Sequence, residues 1–206
     1  MSLHYKTVST ELKEIIQTVC KNSFFDKFRL FGGTALALQI GHRISTDADF
    51  ISEESFDRDD LILEIKKLFK NKVQNIRQNN VGVYMEITGI KVDFVSWNNP
   101  FIRKAVVIDD MRLMHKTEIA ATKLNAVLNR GEKKDYIDIA VMLNEISLQD
   151  MFNLFKEKYG FVDEMQLIKY LCSYSDIDFQ SNPKMLIDFD WDKAKEIIKQ
   201  SVEKYS

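Results

Sequence analysis

Residues 32–50, GGTALALQIGHRISTDADF, decide how the rest of the chain is read. The stretch opens on Gly32-Gly33-Thr34, runs through an Ala/Leu-rich segment to Gly41, and closes on Asp47-Ala48-Asp49-Phe50. A glycine turn entering a helix exposes backbone N–H groups to a phosphate. Carboxylates at i and i+2 on a strand project from one face, close enough to share divalent ions. The spacing predicts a turn, a helix over 34–40 ended by Gly41, and a strand over 47–52. Together these parts suit a nucleoside triphosphate and its magnesium.

Working outward, Phe28-Arg29-Leu30-Phe31 reads as a short strand running into the glycine pair. Upstream, Ile15, Ile16, Val19 and Cys20 fall at helical spacing over 9–21, with Ser9 or Thr10 as cap. Downstream, Leu61, Ile65, Leu68 and Phe69 mark an amphipathic helix over 57–70. Three strand-like runs follow at 73–78, 81–88 and 91–97, with turns at Asn79-Asn80 and Thr88-Gly89. From Lys116 the pattern turns helical: 116–129, closed by Gly131, then 134–145, 148–159, 164–174 and 190–204. Strands early and helices late predict an α+β fold, a mixed sheet flanked by helices and then a C-terminal helical lobe. The expected division is 1–110 and 111–206, within a boundary stretch at 98–114.

Bulk properties exclude several classes. The 206 residues are 45% hydrophobic and 29% charged, with only two prolines and seven glycines. That argues against disorder and against a loop-rich all-β protein. A net charge of −2 leaves nucleic-acid contact to local basic patches. The candidates are Lys66, Lys67, Lys70 and Lys72, then Arg103-Lys104 and Lys133-Lys134, each of which also reads as a solvated surface. No apolar run approaches the roughly 18 residues of a membrane span, and the N-terminus lacks a signal-peptide pattern. Cys20 and Cys172 fit no metal or redox spacing and read as free, mostly buried thiols of a reducing cytoplasm.

A third carboxylate is expected beside Asp47 and Asp49. Asp93, set between Val92 and Phe94, is costly in an apolar strand unless paired or metal-bound. Three such groups suit an in-line displacement at phosphorus with pyrophosphate as leaving group. Around them, Gly32, Gly33 and Thr34 read as the phosphate turn, Arg43 as a partner for a phosphate or an aspartate, and His42 as a group orienting a carboxylate or a hydrogen-bonding side chain. Ser45 either touches a phosphate or starts the strand. Lys123 and Arg130 lie seven apart on one helical face, which suits a triphosphate or plain solvent. Asp135 and Asp138, at i and i+3, are placed to clamp one of those cations.

At these residues the chain resembles the AbiEii/AbiGii-type nucleotidyltransferase toxins of the DNA-polymerase-β-like superfamily. The resemblance rests on Gly32-Gly33, Asp47, Asp49 and Asp93, then on Lys123-Leu124-Asn125-Ala126, Arg130 and Lys134-Asp135-Tyr136-Ile137-Asp138, in order. It implies a nucleotidyltransferase fold, with the helical domain completing the active-site cleft. It implies Mg²⁺ or Mn²⁺ at Asp47, Asp49 and Asp93, a nucleoside triphosphate donor, and catalytic roles for those aspartates and Lys123. It further implies an RNA acceptor, notably the tRNA 3′ end, and a cognate antitoxin. Two alternatives stay open: transfer to a protein hydroxyl, and a nucleotide- or antitoxin-binding module without turnover.

Overall fold

The computed structural model describes residues 2–97, 99–161 and 163–205; Asn98, where the expected boundary stretch begins, lies outside them. The chain forms two compact units. One holds the residues through Gly41 together with Ser45–His115, and the other holds His42–Ile44 and the chain from Lys116 on.

The first unit is built on a seven-stranded sheet. Its elements are α1 (Thr10–Lys21), β1 (Arg29–Phe31), α2 (Gly32–Ile40), β2 (Ala48–Ser52), α3 (Arg58–Phe69), β3 (Val73–Gln78), β4 (Gly82–Ile87), β5 (Ile90–Ser96), β6 (Val106–Ile108) and β7 (Met111–Leu113). The spatial order is β3-β4-β5-β2-β1-β7-β6. β2 pairs in parallel with β5, and β1 with β7; the other pairs are antiparallel. A parallel pair needs a long crossover, supplied here by α3 and the β3–β4 hairpin.

Alternation along the strands sorts the two faces. Leu30, Phe50, Val92, Phe94, Val83 and Met85 are buried on one of them. There Phe50 stacks on Phe94 at 5.0 Å, and Phe25 and Phe28 close on Phe94 at 5.5 and 5.4 Å. Ile15, Ile16 and Val19 of α1 and Leu61 and Ile65 of α3 are buried as their helical spacing predicts. Ser9 caps α1 by accepting from Leu12 N–H, and Asp57 caps α3 by accepting from Asp59 and Asp60 N–H.

The sequence reading missed β6 and β7, which lie inside the stretch assigned to a boundary. Each is three residues long, and Asp109 and Asp110 turn between them with φ of 51° and 64°. A primed hairpin turn of two aspartates is a weak sequence signal beside Asn-Gly or Asp-Gly. Leu113 pairs with Leu30 and Met114 N–H donates to the Leu30 carbonyl, so residues 111–115 fold with the sheet.

The second unit contains α4 (Lys116–Asn129), α5 (Lys133–Met142), α6 (Leu148–Tyr159), α7 (Glu164–Leu171) and α8 (Trp191–Tyr205). Ile119, Ala120, Leu124 and Val127 of α4 are buried, as are Met151, Phe152 and Phe155 of α6. A buried ion pair, Lys158 to Glu118 at 2.7 Å, ties α6 to α4. His42–Ile44 joins this unit through a bridge of Arg43 with Met185: Ile44 N–H donates to the Lys184 carbonyl, and Leu186 N–H to the His42 carbonyl. Both cysteines are free. Cys20 is buried, but Cys172 is exposed, contrary to expectation, because it stands just past the last residue of α7. Among the described residues no helix is long and apolar enough to cross a membrane.

Candidate active site

The glycine pair and the aspartates of residues 32–50 meet at the start of α2. Gly32 has φ of +68°, a conformation that favours glycine. A Cβ there would stand 3.3 Å from Asp49 Oδ2, so the turn packs directly against a carboxylate. Phe31 occupies the N-cap position and gives no side-chain cap. The first N–H groups of α2 thus keep their donor capacity for an anion.

Asp49 and Asp93 are opposite one another in the parallel β2–β5 pair. Residues so placed share a face of the sheet. Asp93 is 7% exposed; its Oδ2 lies 2.9 Å from Lys91 Nζ, and its Oδ1 is buried without a partner. The hydrogen bond to Asp93 raises the pKa of Lys91 against partial burial, and the charges of Asp49 and Asp47 add to the rise. Lys91 therefore feels all three carboxylates. It stands two residues before Asp93, a strand spacing that sequence reasoning passed over.

Asp47 is expected inside the strand but lies one residue before β2. It is held there by α2: Thr34 Oγ1 donates to the Asp47 carbonyl at 2.6 Å and lies 3.2 Å from its Oδ1. Ser45 Oγ is 2.8 Å from Thr34 Oγ1 and 3.5 Å from Asp47 Oδ1. Thr34 and Ser45 are buried, so their hydroxyls act on Asp47, where the sequence suggests a phosphate for Thr34 and either a phosphate or a strand start for Ser45.

A divalent cation fits this arrangement. The buried, unpartnered Asp93 Oδ1 is an acceptor in need of a positive partner, and Asp49 is the neighbouring carboxylate. Among the described residues no three His, Cys, Asp or Glu side chains form a group that could hold a metal ion, so the expected trio of Asp47, Asp49 and Asp93 narrows to the Asp49–Asp93 pair. Magnesium suits that economy, taking one or two carboxylates and completing its shell with water and substrate phosphate.

The remaining predicted residues gather in the second unit around Asp138, which is fully buried. Arg43 donates to it twice, Nε to Oδ1 at 2.7 Å and Nη2 to Oδ2 at 2.8 Å. His42 Nε2 lies 2.7 Å from Oδ1, and Lys123 Nζ lies 2.6 Å from Oδ2. Lys123 also reaches Asp135 Oδ1 at 2.8 Å, and Arg130 Nε donates to Asp135 Oδ2 at 2.9 Å. Burial alone would raise the Asp138 pKa, but the Lys123 and Arg43 charges hold it well below the usual carboxylate range. Burial drives the His42 pKa down against the pull of Asp138. A neutral His42 donates from Nε2, leaving Nδ1 a buried acceptor without a partner. Asp135 and Asp138 thus clamp Lys123, which is 3% exposed, while Arg130 keeps 49% of its side chain in solvent. The basic stretches divide as well. Lys133 is buried with its ammonium on the Asp178 and Gln180 carbonyls, whereas Lys67 pairs with Glu64 on the surface of α3.

Comparison with known proteins follows the same lines. The family model described as nucleotidyl transferase AbiEii toxin, type IV toxin–antitoxin system, matches residues 15–205. An uncharacterized protein of Aquifex aeolicus (strain VF5) is 27% identical over 97% of this chain and 98% of its own length. Among solved structures, MenT4, a nucleotidyltransferase toxin of Mycobacterium tuberculosis H37Rv, superposes with a TM-score of 0.62 at 15% identity, covering 92% of this chain and 80% of that one. JHP933 from Helicobacter pylori gives 0.58 at 17% identity over 95% and 92%. At those identities the two structures speak for the fold alone.

Proposed function

The chain belongs to the nucleotidyl transferase AbiEii toxin family, and from that premise we propose that it moves a nucleoside monophosphate from a nucleoside triphosphate to an RNA hydroxyl. The observation that carries the reading is the juxtaposition of Asp49 and Asp93 beside the uncapped start of α2. In this reading Asp49 and Asp93 hold a magnesium or manganese ion, with Asp47 alongside. When bound, the ion supplies positive charge that offsets the triphosphate and acidifies the attacking hydroxyl.

The protein's own groups do the rest. The N–H groups at Gly33 and Thr34 receive phosphate oxygens, aided by the positive end of α2. Thr34 and Ser45 fix Asp47. The acceptor oxygen bonds to the α-phosphorus, the bond from that phosphorus to the bridging oxygen breaks, and pyrophosphate leaves. The proton released by the acceptor hydroxyl passes to solvent water beside the carboxylates, while Asp93 Oδ1 is kept for the ion. Lys123, Arg43, Asp135 and Asp138 form the internal frame of the helical unit, and Arg130 is the member with surface left for a phosphate. In this reading the reaction is cytoplasmic, and the partner is a cognate antitoxin of the kind the family's toxin–antitoxin description suggests.

The test is incubation with each α-labelled nucleoside triphosphate, Mg²⁺, total tRNA and lysate protein, with Asp49→Ala as control. Label entering RNA in the wild type alone supports the reading. Label entering only protein refutes the RNA acceptor. Nucleotide binding by both proteins without label transfer refutes catalysis.

A further inference from the structure

One rung of the sheet runs through the reactive carboxylates. Arg77, Tyr84, Asp93, Asp49 and Phe31 stand opposite one another on β3, β4, β5, β2 and β1. Cross-strand partners share a face, so all five side chains rise from the side that carries the aspartates. The glycine turn lies at the Phe31 end of the rung. The other end carries an aromatic ring one strand from Asp93 and a guanidinium two strands away.

Arg77 owes its place to a bulge. The β3–β4 register shifts between Gln74 and Arg77: Gln74 opposes Glu86, yet Arg77, not Ile76, opposes Tyr84. Asn75 takes φ of +52° at this point, and its side-chain amide donates to Glu86 Oε2 at 2.8 Å. Bulges re-aim side chains, often beside functional sites. An unbroken ladder would have set the apolar Ile76 beside Tyr84. Instead an exposed arginine stands there, with no ion pair or side-chain hydrogen bond among the described residues. Tyr84 is half-buried, its hydroxyl only 3.4 Å from Asn79 Oδ1, and Lys91 adds a second cation one pleat along β5 from Asp93.

We propose that the β3–β4–β5 end of this rung is the acceptor subsite. It takes the unpaired end of a polynucleotide, with the terminal base stacked on Tyr84 and a backbone phosphate on Arg77. Strand spacing of about 4.8 Å sets the ring one step and the guanidinium about 10 Å from the Asp93 strand. An aromatic platform followed by a cation is how unpaired nucleic acid is held without sequence readout. An unpaired polynucleotide end brings a base and a phosphate at neighbouring positions of one chain, as this pair of side chains requires. The inference rests on the nucleotidyl-transfer reading of Asp49 and Asp93.

The experiment measures acceptor KM and triphosphate KM for wild type, Tyr84→Ala, Tyr84→Phe and Arg77→Gln. It also measures anisotropy binding of a short unpaired RNA oligonucleotide across a salt series. Tyr84→Ala raises the acceptor KM about tenfold, the order of one lost base stack, with the triphosphate KM within about twofold. Tyr84→Phe recovers most of that loss, because it keeps the ring. Arg77→Gln lowers the slope of log affinity against log salt by about 0.7, one single-strand phosphate contact. If the wild type labels RNA while Tyr84→Ala and Arg77→Gln keep its acceptor KM and salt slope, this subsite is overturned and the transfer reading stands. If the wild type labels protein alone, both fall. A Tyr84→Phe loss as large as that of Tyr84→Ala also overturns the stacking role.

Discussion

Asp138→Asn tests the buried charge cluster most directly. The carboxylate is fully buried and meets Arg43 at 2.7 and 2.8 Å, Lys123 at 2.6 Å and His42 at 2.7 Å. An asparagine fits the same volume but removes the charge that two buried cations face. It also turns one oxygen into a donor aimed at donors. Removing one partner from a buried ion pair costs about 3–5 kcal/mol, a large share of the roughly 5–15 kcal/mol that holds a typical protein folded. At about 2–4 °C per kcal/mol for a chain of this size, the melting temperature falls on the order of 10 °C. The pH dependence has a fixed sign. The folded-state pKa of Asp138 is depressed, so its stabilisation is complete above the unfolded value of about 3.9 and fades as pH falls through the folded value. Urea unfolding of both proteins from neutral pH into acid should therefore show a constant gap down to about pH 5 that narrows below about pH 4. A gap under about 1 kcal/mol at neutral pH, or one that persists unchanged in strong acid, would refute the reasoning.

Asp93→Asn should abolish label transfer and Mn²⁺ binding read by electron paramagnetic resonance. It should change the unfolding free energy by no more than about 1 kcal/mol, since loss of the ion pair to the exposed Lys91 is offset by removal of a buried charge with an unpartnered oxygen; marked destabilisation would argue for a structural role instead. Gly32→Ala forces a left-handed alanine, at about 1–2 kcal/mol, and places a methyl 3.3 Å from Asp49 Oδ2. Thermal melting should show that loss, and calorimetric triphosphate affinity should drop about tenfold through the displaced carboxylate. Gly82→Ala would set a Cβ 2.1 Å from the Phe94 carbonyl oxygen. Since backbone must move to admit it, denaturation should report a loss of about 3 kcal/mol, and an alanine tolerated without loss would show that β4 is not held where described.

Local rules reached much of this molecule. Residues 148–159 read as a helix from spacing alone, and α6 spans that range. The runs at 73–78, 81–88 and 91–97 became β3, β4 and β5 within a residue or two at each end, because alternation and turn residues agree there. The acidic positions were equally legible: a carboxylate between Val92 and Phe94 stands out in any apolar strand. Pairing was not legible. Asp138 lies 96 residues from His42 and 95 from Arg43, and no local pattern links them. Tyr84 and Arg77 gain meaning only from register, and Arg77 only from a bulge at an asparagine that looks like any other polar strand residue. The hydroxyl of Thr34 suits a phosphate because it follows a glycine turn, and Ser45 suits either a phosphate or a strand start; burial against Asp47 gives both another task.

The short segment His42–Ile44 has a consequence for how such a chain can be divided or rebuilt. Because those residues belong to the helical unit, the polypeptide passes from one unit to the other at 41–42, returns at 44–45, and passes again at 115–116. Neither unit is a contiguous module. A fragment ending at His115 would carry His42 and Arg43 without Asp138, and the complementary fragment would carry Asp138 without the arginine that binds it twice. Recombination at residue 115 therefore yields a working chimera only when the two parents match at Arg43 and Asp138. The helical half of this protein can be exchanged for another only along with three residues encoded far upstream, immediately before the Asp47–Asp49 carboxylates.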